Sequence, residues 1–292
     1  FNFKLRVLTF SLLLNVNLIK KISDLYINGS IHVALSCYAL TWISFIELGI
    51  DYNENLLYFI FYATISGYNF VKFFGVAKFH HRSLTRALKW IQILSLVSTI
   101  AMFYYFLELK NSIKFLIFTM FILTLIYALP LFPNHNKRKE NLRNIHGVKV
   151  YIIAIVWATV TYVLPLYYLN QDISFNNYIG IFNRFLFIVL FMLPFELRDL
   201  KNDNPNLGTI PQLIGVKGTK QLSVWLTLVI IALSIINVTN YKHLIIAIIF
   251  VMITMTTTLM YSKKKSRLYT AFFVESLPIF WLLTLLSFYI NR

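Results

Sequence analysis

The sequence predicts an all-α integral membrane protein of about nine transmembrane helices. Three observations carry this reading. Of 292 residues, 58% are hydrophobic and only 13% charged, about half the charged fraction of a soluble domain. The apolar residues come in runs of about twenty, enough to cross a hydrocarbon core of roughly 30 Å as helix. Finally, Lys and Arg concentrate in alternate connections between those runs, as membrane topology requires.

The runs fall at 31–50, 56–76, 88–107, 113–131, 150–169, 178–195, 222–236, 244–261 and 269–290. Water is absent at bilayer depth, so each run must satisfy its own backbone, which selects helix. The seventh run is short. Ahead of them, Phe3 to Tyr26 mixes apolar residues with Lys4, Arg6, Lys20 and Lys21; it reads as a helix lying in the interface rather than as a tenth span. The domain division is therefore 1–30, interfacial, and 31–292, transmembrane. No signal-peptide pattern opens the chain, and a start at Phe1 rather than Met is compatible with sequence preceding it.

Of the 27 Lys and Arg, 22 lie in the N-terminal segment and the connections after the second, fourth, sixth and eighth runs. Lys110, Lys114, Lys242 and Arg292 lie in the others, and Arg184 lies inside the sixth run. One miscounted span would scramble this alternation. It predicts an inner-membrane protein with a cytoplasmic N-terminus and an external C-terminus. The net charge of +16 is thereby a topology signal directed at membrane lipids, and no nucleic acid is called for. A lone cysteine, Cys37, excludes an intrachain disulfide and a Cys-based metal site.

The longest connections, 132–149 and 198–221, both face the cytoplasm in this topology. The second is entered through Pro194-Phe-Glu-Leu-Arg-Asp-Leu-Lys-Asn-Asp203, and Thr209, Pro211 and Gly215 follow. On a continuing helix Asp199 and Asp203 share one face, and two carboxylates held so can jointly bind Mg²⁺. An ordinary polar helix end would supply the same residue types. Arg184 and Glu275 lie within predicted spans and Glu196 at an inner end. Charges at that depth cost about 2.5–3.5 kcal/mol on insertion scales, so they need partners. The expected pairing is Arg184 with Glu275, the alternative being a role in binding an acceptor headgroup, and His32 is expected to be a hydrogen-bonded packing residue.

The Asp-x-x-x-Asp pair, Thr209-x-Pro211 and Gly215 resemble the second aspartate motif of the UbiA superfamily of membrane prenyltransferases. The layout of nine spans with long cytoplasmic loops after the second, fourth and sixth is similar to that family along the whole chain. The resemblance implies a nine-helix bundle with a central, cytoplasm-facing cavity. It implies Mg²⁺ held by Asp199 and Asp203, with Asn69 assisting, on a polyprenyl diphosphate whose prenyl group passes to a lipophilic acceptor. Aromatic rings, 17% of the chain, could then line the isoprenoid channel and stabilise an allylic cation.

Two departures from the family pattern stand out. The stretch between Asp203 and Thr209 is shorter than usual. At the end of the second run, Asn69 fits the first motif, but Phe73 and Ala77 stand where that motif has aspartates, and no carboxylate occurs between Glu54 and Glu108. Lys72, Lys78, His80, His81 and Arg82 could offset the missing metal ligands by contacting phosphate directly. Lys137 and Arg138 of the next cytoplasmic loop would join Lys72, Lys78 and Arg82 on the diphosphate. The rival expectation is a catalytically inactive member that binds an isoprenoid lipid or a membrane partner. A small-molecule transporter is a third, opposed by the few intramembrane charges and the lack of an inverted repeat of broken helices.

Overall fold

The computed structural model describes residues 23–77, 86–133, 139–142, 147–168, 173–262 and 266–290. Long helices account for most of them: α1 (Ile31–Leu48), α2 (Glu54–Ala77), α3 (Arg86–Leu107) and α4 (Asn111–Ala128), then α5 (Lys149–Leu166). These are followed by α6 (Phe175–Asp199), α7 (Ile210–Ile236), α8 (Tyr241–Leu259) and α9 (Tyr269–Phe288). Eight of them are long and apolar enough to cross a membrane. The exception is α2, which is 24 residues long but carries Thr64, Ser66, Asn69 and Lys72 along its second half. Most of the N-terminal segment lies outside the described residues, of which 23–28 are helical.

Helix α1 packs on α2, α2 on α3, α5 on α6, α6 on α7, α7 on α8, and α8 on α9, which returns to α1. Helices α1, α5 and α6 form the interior; Leu40, Ile43, Leu164, Ile188, Leu190 and Leu193 are fully buried. Helices α3 and α4 are peripheral. They expose Leu96, Ile100, Leu107 and Phe115 at 63–76%, an apolar surface suited to lipid tails. Because lipid is as apolar as this core, helix association rests on close packing and internal hydrogen bonding. Buried hydroxyls accordingly bond back one turn, Thr41 to the Cys37 carbonyl at 3.0 Å and Thr254 to the Phe250 carbonyl at 2.8 Å.

Local irregularities have identifiable causes. Helix α5 widens into a π turn at Thr159–Val163 just before Pro165, whose ring and missing N–H disturb the regular ladder. Helix α9 opens on a π turn, Tyr269–Val274. In α7, Gly215 has φ 70° and ψ 172°, a backbone state suited to glycine; the helix breaks there and resumes. The seventh span is therefore longer than the predicted run, beginning at Ile210. Between α4 and α5, where only a loop is expected, β1 (Pro130–Pro133) pairs antiparallel with β2 (Lys139–Asn141), Phe132 opposite Glu140.

Close packing gives a direct test. Gly180 of α6 lies under the Tyr162 ring of α5, so a Cβ added there would collide with the phenol, and Tyr162 is itself buried. Gly180→Ala is expected to cost about 1–3 kcal/mol in thermal unfolding in detergent. Nothing lies within 4 Å of a Cβ at Gly67, so Gly67→Ala serves as the neutral control.

Candidate functional site at the end of helix α6

Helix α6 ends in water-facing chemistry. Its last turn carries Glu196, Arg198 and Asp199, with Leu200 as C-cap donating its N–H to the Glu196 carbonyl at 3.1 Å. The α-helix stops at Asp199 instead of continuing through Asp203. The Asp203 N–H still reaches the Asp199 carbonyl at 2.9 Å, and the Asn202 N–H reaches it at 2.8 Å. The two aspartates thus remain one turn apart, but each has a different cation.

Asp199 is gripped by its neighbour: Arg198 Nε donates to Oδ1 at 2.7 Å and Nη2 to Oδ2 at 3.0 Å. The third guanidinium nitrogen, Nη1, donates to Thr270 Oγ1 at 2.8 Å, tying α6 to the π turn of α9. Asp203 meets Lys149, the first residue of α5, whose ammonium is 3.4 Å from Oδ2 and 3.0 Å from Glu196 Oε1. The Glu196 side chain is 1% exposed, so Lys149 is what neutralises a buried carboxylate.

On α2, Asn69 is buried in a knot that joins three segments. Its Nδ2 donates to the Gly29 carbonyl at 3.1 Å and to Ser95 Oγ at 2.9 Å, while Oδ1 accepts from Ser30 Oγ at 2.8 Å. Ser30 has φ 66°, a strained state for a residue with a side chain. Its hydroxyl also accepts from Lys72 Nζ at 2.8 Å. The amide hydrogens of Asn69 are therefore taken by the protein, leaving one lone pair of Oδ1. Lys72 lies a turn beyond, its ammonium 5.9 Å from the Tyr68 ring centre.

The intramembrane charges pair differently from expectation. Arg184 meets Glu47 of α1 at 3.2 Å, with Ser44 Oγ at 3.0 Å and the Leu40 carbonyl at 3.4 Å. Glu275 is not its partner; the cations whose charge acts on Glu275 are Lys72, Arg198 and Arg267. His32 behaves as expected, Nδ1 bonded to the Tyr26 hydroxyl at 2.7 Å and Nε2 to the Phe272 carbonyl at 2.9 Å. Lys78, Arg82, Lys137 and Arg138 lie outside the described residues.

Sequence reasoning counted Lys149 and Arg198 as topology charges and so missed their place in the cluster. The available signal was the spacing of Glu196, Asp199 and Asp203, which puts three acids within two turns of one helix end. Among the described residues no three His, Cys, Asp or Glu side chains converge tightly enough to cage a metal ion. A cation sharing its coordination with a ligand's phosphates needs only one or two carboxylates. Asp199 and Asp203, 29% and 19% exposed, fit that requirement. Two apolar-lined pockets of about 190 and 330 Å³ flank this end of the bundle, between α6, α7 and the segment after α8, and between α8 and α9. Neither pocket is lined by the aspartates or by Lys72.

No protein-family model matches the chain. No curated protein matches it either. Among solved structures, the apo structure of a UbiA homolog from Aeropyrum pernix K1 is similar over 89% of this chain and 98% of that one, with a TM-score of 0.57 and 13% identity. At that identity the likeness is one of architecture: the chain has the UbiA membrane-protein fold.

Proposed function

We propose that the chain is a UbiA-superfamily protein that binds a polyprenyl diphosphate with Mg²⁺ at the α6 end of the bundle and transfers the prenyl group to a lipophilic acceptor. The observation that carries this reading is the Asp199 and Asp203 pair at the end of α6, flanked by Arg198 and Lys149. Diphosphate is a dense anion, and cations in a site partly shielded from water bind it more strongly than surface cations do. Mg²⁺ held by Asp199 and Asp203 would neutralise charge that develops on the leaving diphosphate. Arg198, whose Nε and Nη2 already grip Asp199, keeps one further N–H on each terminal nitrogen that suits phosphate oxygens. Lys72, one turn beyond Asn69, would contact the same group from α2, and Lys78, Arg82, Lys137 and Arg138 would close over it from the loops. This end of the bundle would face the cytoplasm.

A second reading is supported by one specific feature. Each aspartate already has a protein cation, and Phe73 and Ala77 supply no ligand from α2. On that reading the chain binds an isoprenoid lipid or a membrane partner without chemistry.

Binding of geranylgeranyl diphosphate to the purified protein in detergent separates the two. The expected result is binding that requires Mg²⁺ and weakens at least about tenfold in Asp199→Asn, the loss of one strong charged contact. Equal affinity with and without Mg²⁺, unchanged by the substitution, would sink the metal-diphosphate reading and favour the non-catalytic one.

A further inference from the structure

Glu275 takes no part in the aspartate cluster at the end of α6. It enters α9 directly after the π turn, its N–H bonded to the Thr270 carbonyl at 3.2 Å. A π turn inserts a residue and re-aims the side chains beyond it, and such turns recur at functional sites. The same turn receives Arg198 on Thr270 Oγ1 at 2.8 Å and His32 on the Phe272 carbonyl at 2.9 Å. Glu275 thus lies one turn deeper than the bond that links α9 to Asp199's own cation. Lys72 of α2, Arg198 of α6 and Arg267 lie near enough for their charges to act on it, and Tyr26 and Tyr68 lie within the same range. Yet among the described residues its carboxylate makes no ion pair or hydrogen bond, and it is only half-buried.

A carboxylate inside a spanning helix is costly and by default marks a functional site. The surrounding charges restrict what it can receive. Three basic side chains repel an ammonium, and the carboxylate itself repels an anion. A neutral hydroxyl suits the position, because it donates one hydrogen bond and carries no charge.

Resting on the prenyl-transfer reading, we propose that Glu275 is the acceptor-side catalytic residue, accepting the hydrogen bond and then the proton of a hydroxyl-bearing acceptor. Lys72 and Arg198, whose charges act on Glu275, would hold the diphosphate. In the step, the bond between the prenyl carbon and the diphosphate oxygen breaks, its electron pair leaving with diphosphate. The new bond forms from the acceptor oxygen, or a carbon conjugated with it, to the prenyl carbon. The acceptor's proton goes to the Glu275 carboxylate, so charge and atoms balance without a further reactant.

The test uses the full chain in detergent with radiolabelled geranylgeranyl diphosphate, Mg²⁺, and two hydroxyl probes, hydroquinone and dodecanol. Wild type is expected to prenylate at least one probe. Glu275→Gln should lower that rate by about 100-fold, the size of a general-base contribution, and Glu275→Asp should restore part of it. Affinity for geranylgeranyl diphosphate should stay within about twofold in Glu275→Gln, and the unfolding temperature should not fall, since no ion pair or hydrogen bond of its carboxylate is lost among the described residues. Transfer within about threefold of wild type would overturn the assignment. So would a parallel loss of diphosphate affinity, or wild type that binds the diphosphate and prenylates neither probe. Failure of wild type to bind the diphosphate is a different result: it removes the prenyl-transfer reading and this inference with it.

Discussion

Replacing Lys149 by methionine is expected to destabilise the protein by about 3–5 kcal/mol, the cost of stranding a buried charge. Lys149 lies 3.0 Å from Glu196, whose side chain is 1% exposed, and 3.4 Å from Asp203, which is 19% exposed. Methionine fills much the same volume, so the loss is electrostatic and little of it comes from a cavity. Glu196 carries the penalty, because Asp203 can turn to water. The double variant Lys149→Met with Glu196→Gln removes both charges and should recover most of the stability, since deleting a buried pair whole is often near neutral. Thermal unfolding in detergent, followed by tryptophan fluorescence, gives the four corners of the cycle. A single-variant loss below about 1 kcal/mol would show that Glu196 does not depend on Lys149.

The second large effect is expected at Arg184. Its guanidinium is 5% exposed and bonded to Glu47, Ser44 Oγ and the Leu40 carbonyl, so it ties α6 to α1. Glu47 is 27% exposed and keeps some hydration when its partner is lost. Arg184→Met should therefore cost about 3 kcal/mol, near the lower end for breaking a buried pair. The partner assignment is checked with the acids. Glu47→Gln should lower the unfolding temperature, while Glu275→Gln should leave it unchanged or raise it. The opposite order would return Arg184 to the pairing expected from sequence.

That pairing is a useful measure of what a membrane sequence reveals. Arg184 and Glu275 are both intramembrane charges, and with no other information each is the other's natural partner. Glu47 lies at the end of α1, where it reads as an ordinary interfacial acid. Which acid Arg184 meets depends on how α6 and α1 are rotated about their axes. A soluble helix announces that rotation through its apolar stripe. These helices are apolar on the lipid face and on the core face alike, so the pattern has little phase. The same gap hid Lys149 and Arg198, which count toward topology wherever their side chains point.

Local requirements, in contrast, were legible. The run at 88–107 ends at the last residue of α3 and starts two residues inside it, and α1, α2, α5, α8 and α9 lie within a few residues of expectation. A bilayer demands about twenty apolar residues per helix, and that demand is met within one stretch of chain. Where local rules mislead, a specific residue is responsible. Gly215 breaks α7 and let its first turns read as loop, and the short strand pair Pro130–Pro133 and Lys139–Asn141 is too brief, and its first strand too proline-rich, to signal strand.

The fold class, the positions of most spans and the aspartate pair at the end of α6 were thus readable from the residues alone. These rest on hydropathy, segment length and spacing within a single helix. The packing of the helices was needed to show that Arg198 and Lys149 neutralise those aspartates, that Glu47 meets Arg184, and that Glu275 lies within reach of the charges of Lys72 and Arg198. Each of those pairings joins residues far apart in the chain or depends on where a side chain points around its helix, and helix rotation in a lipid-like core leaves little trace in the sequence.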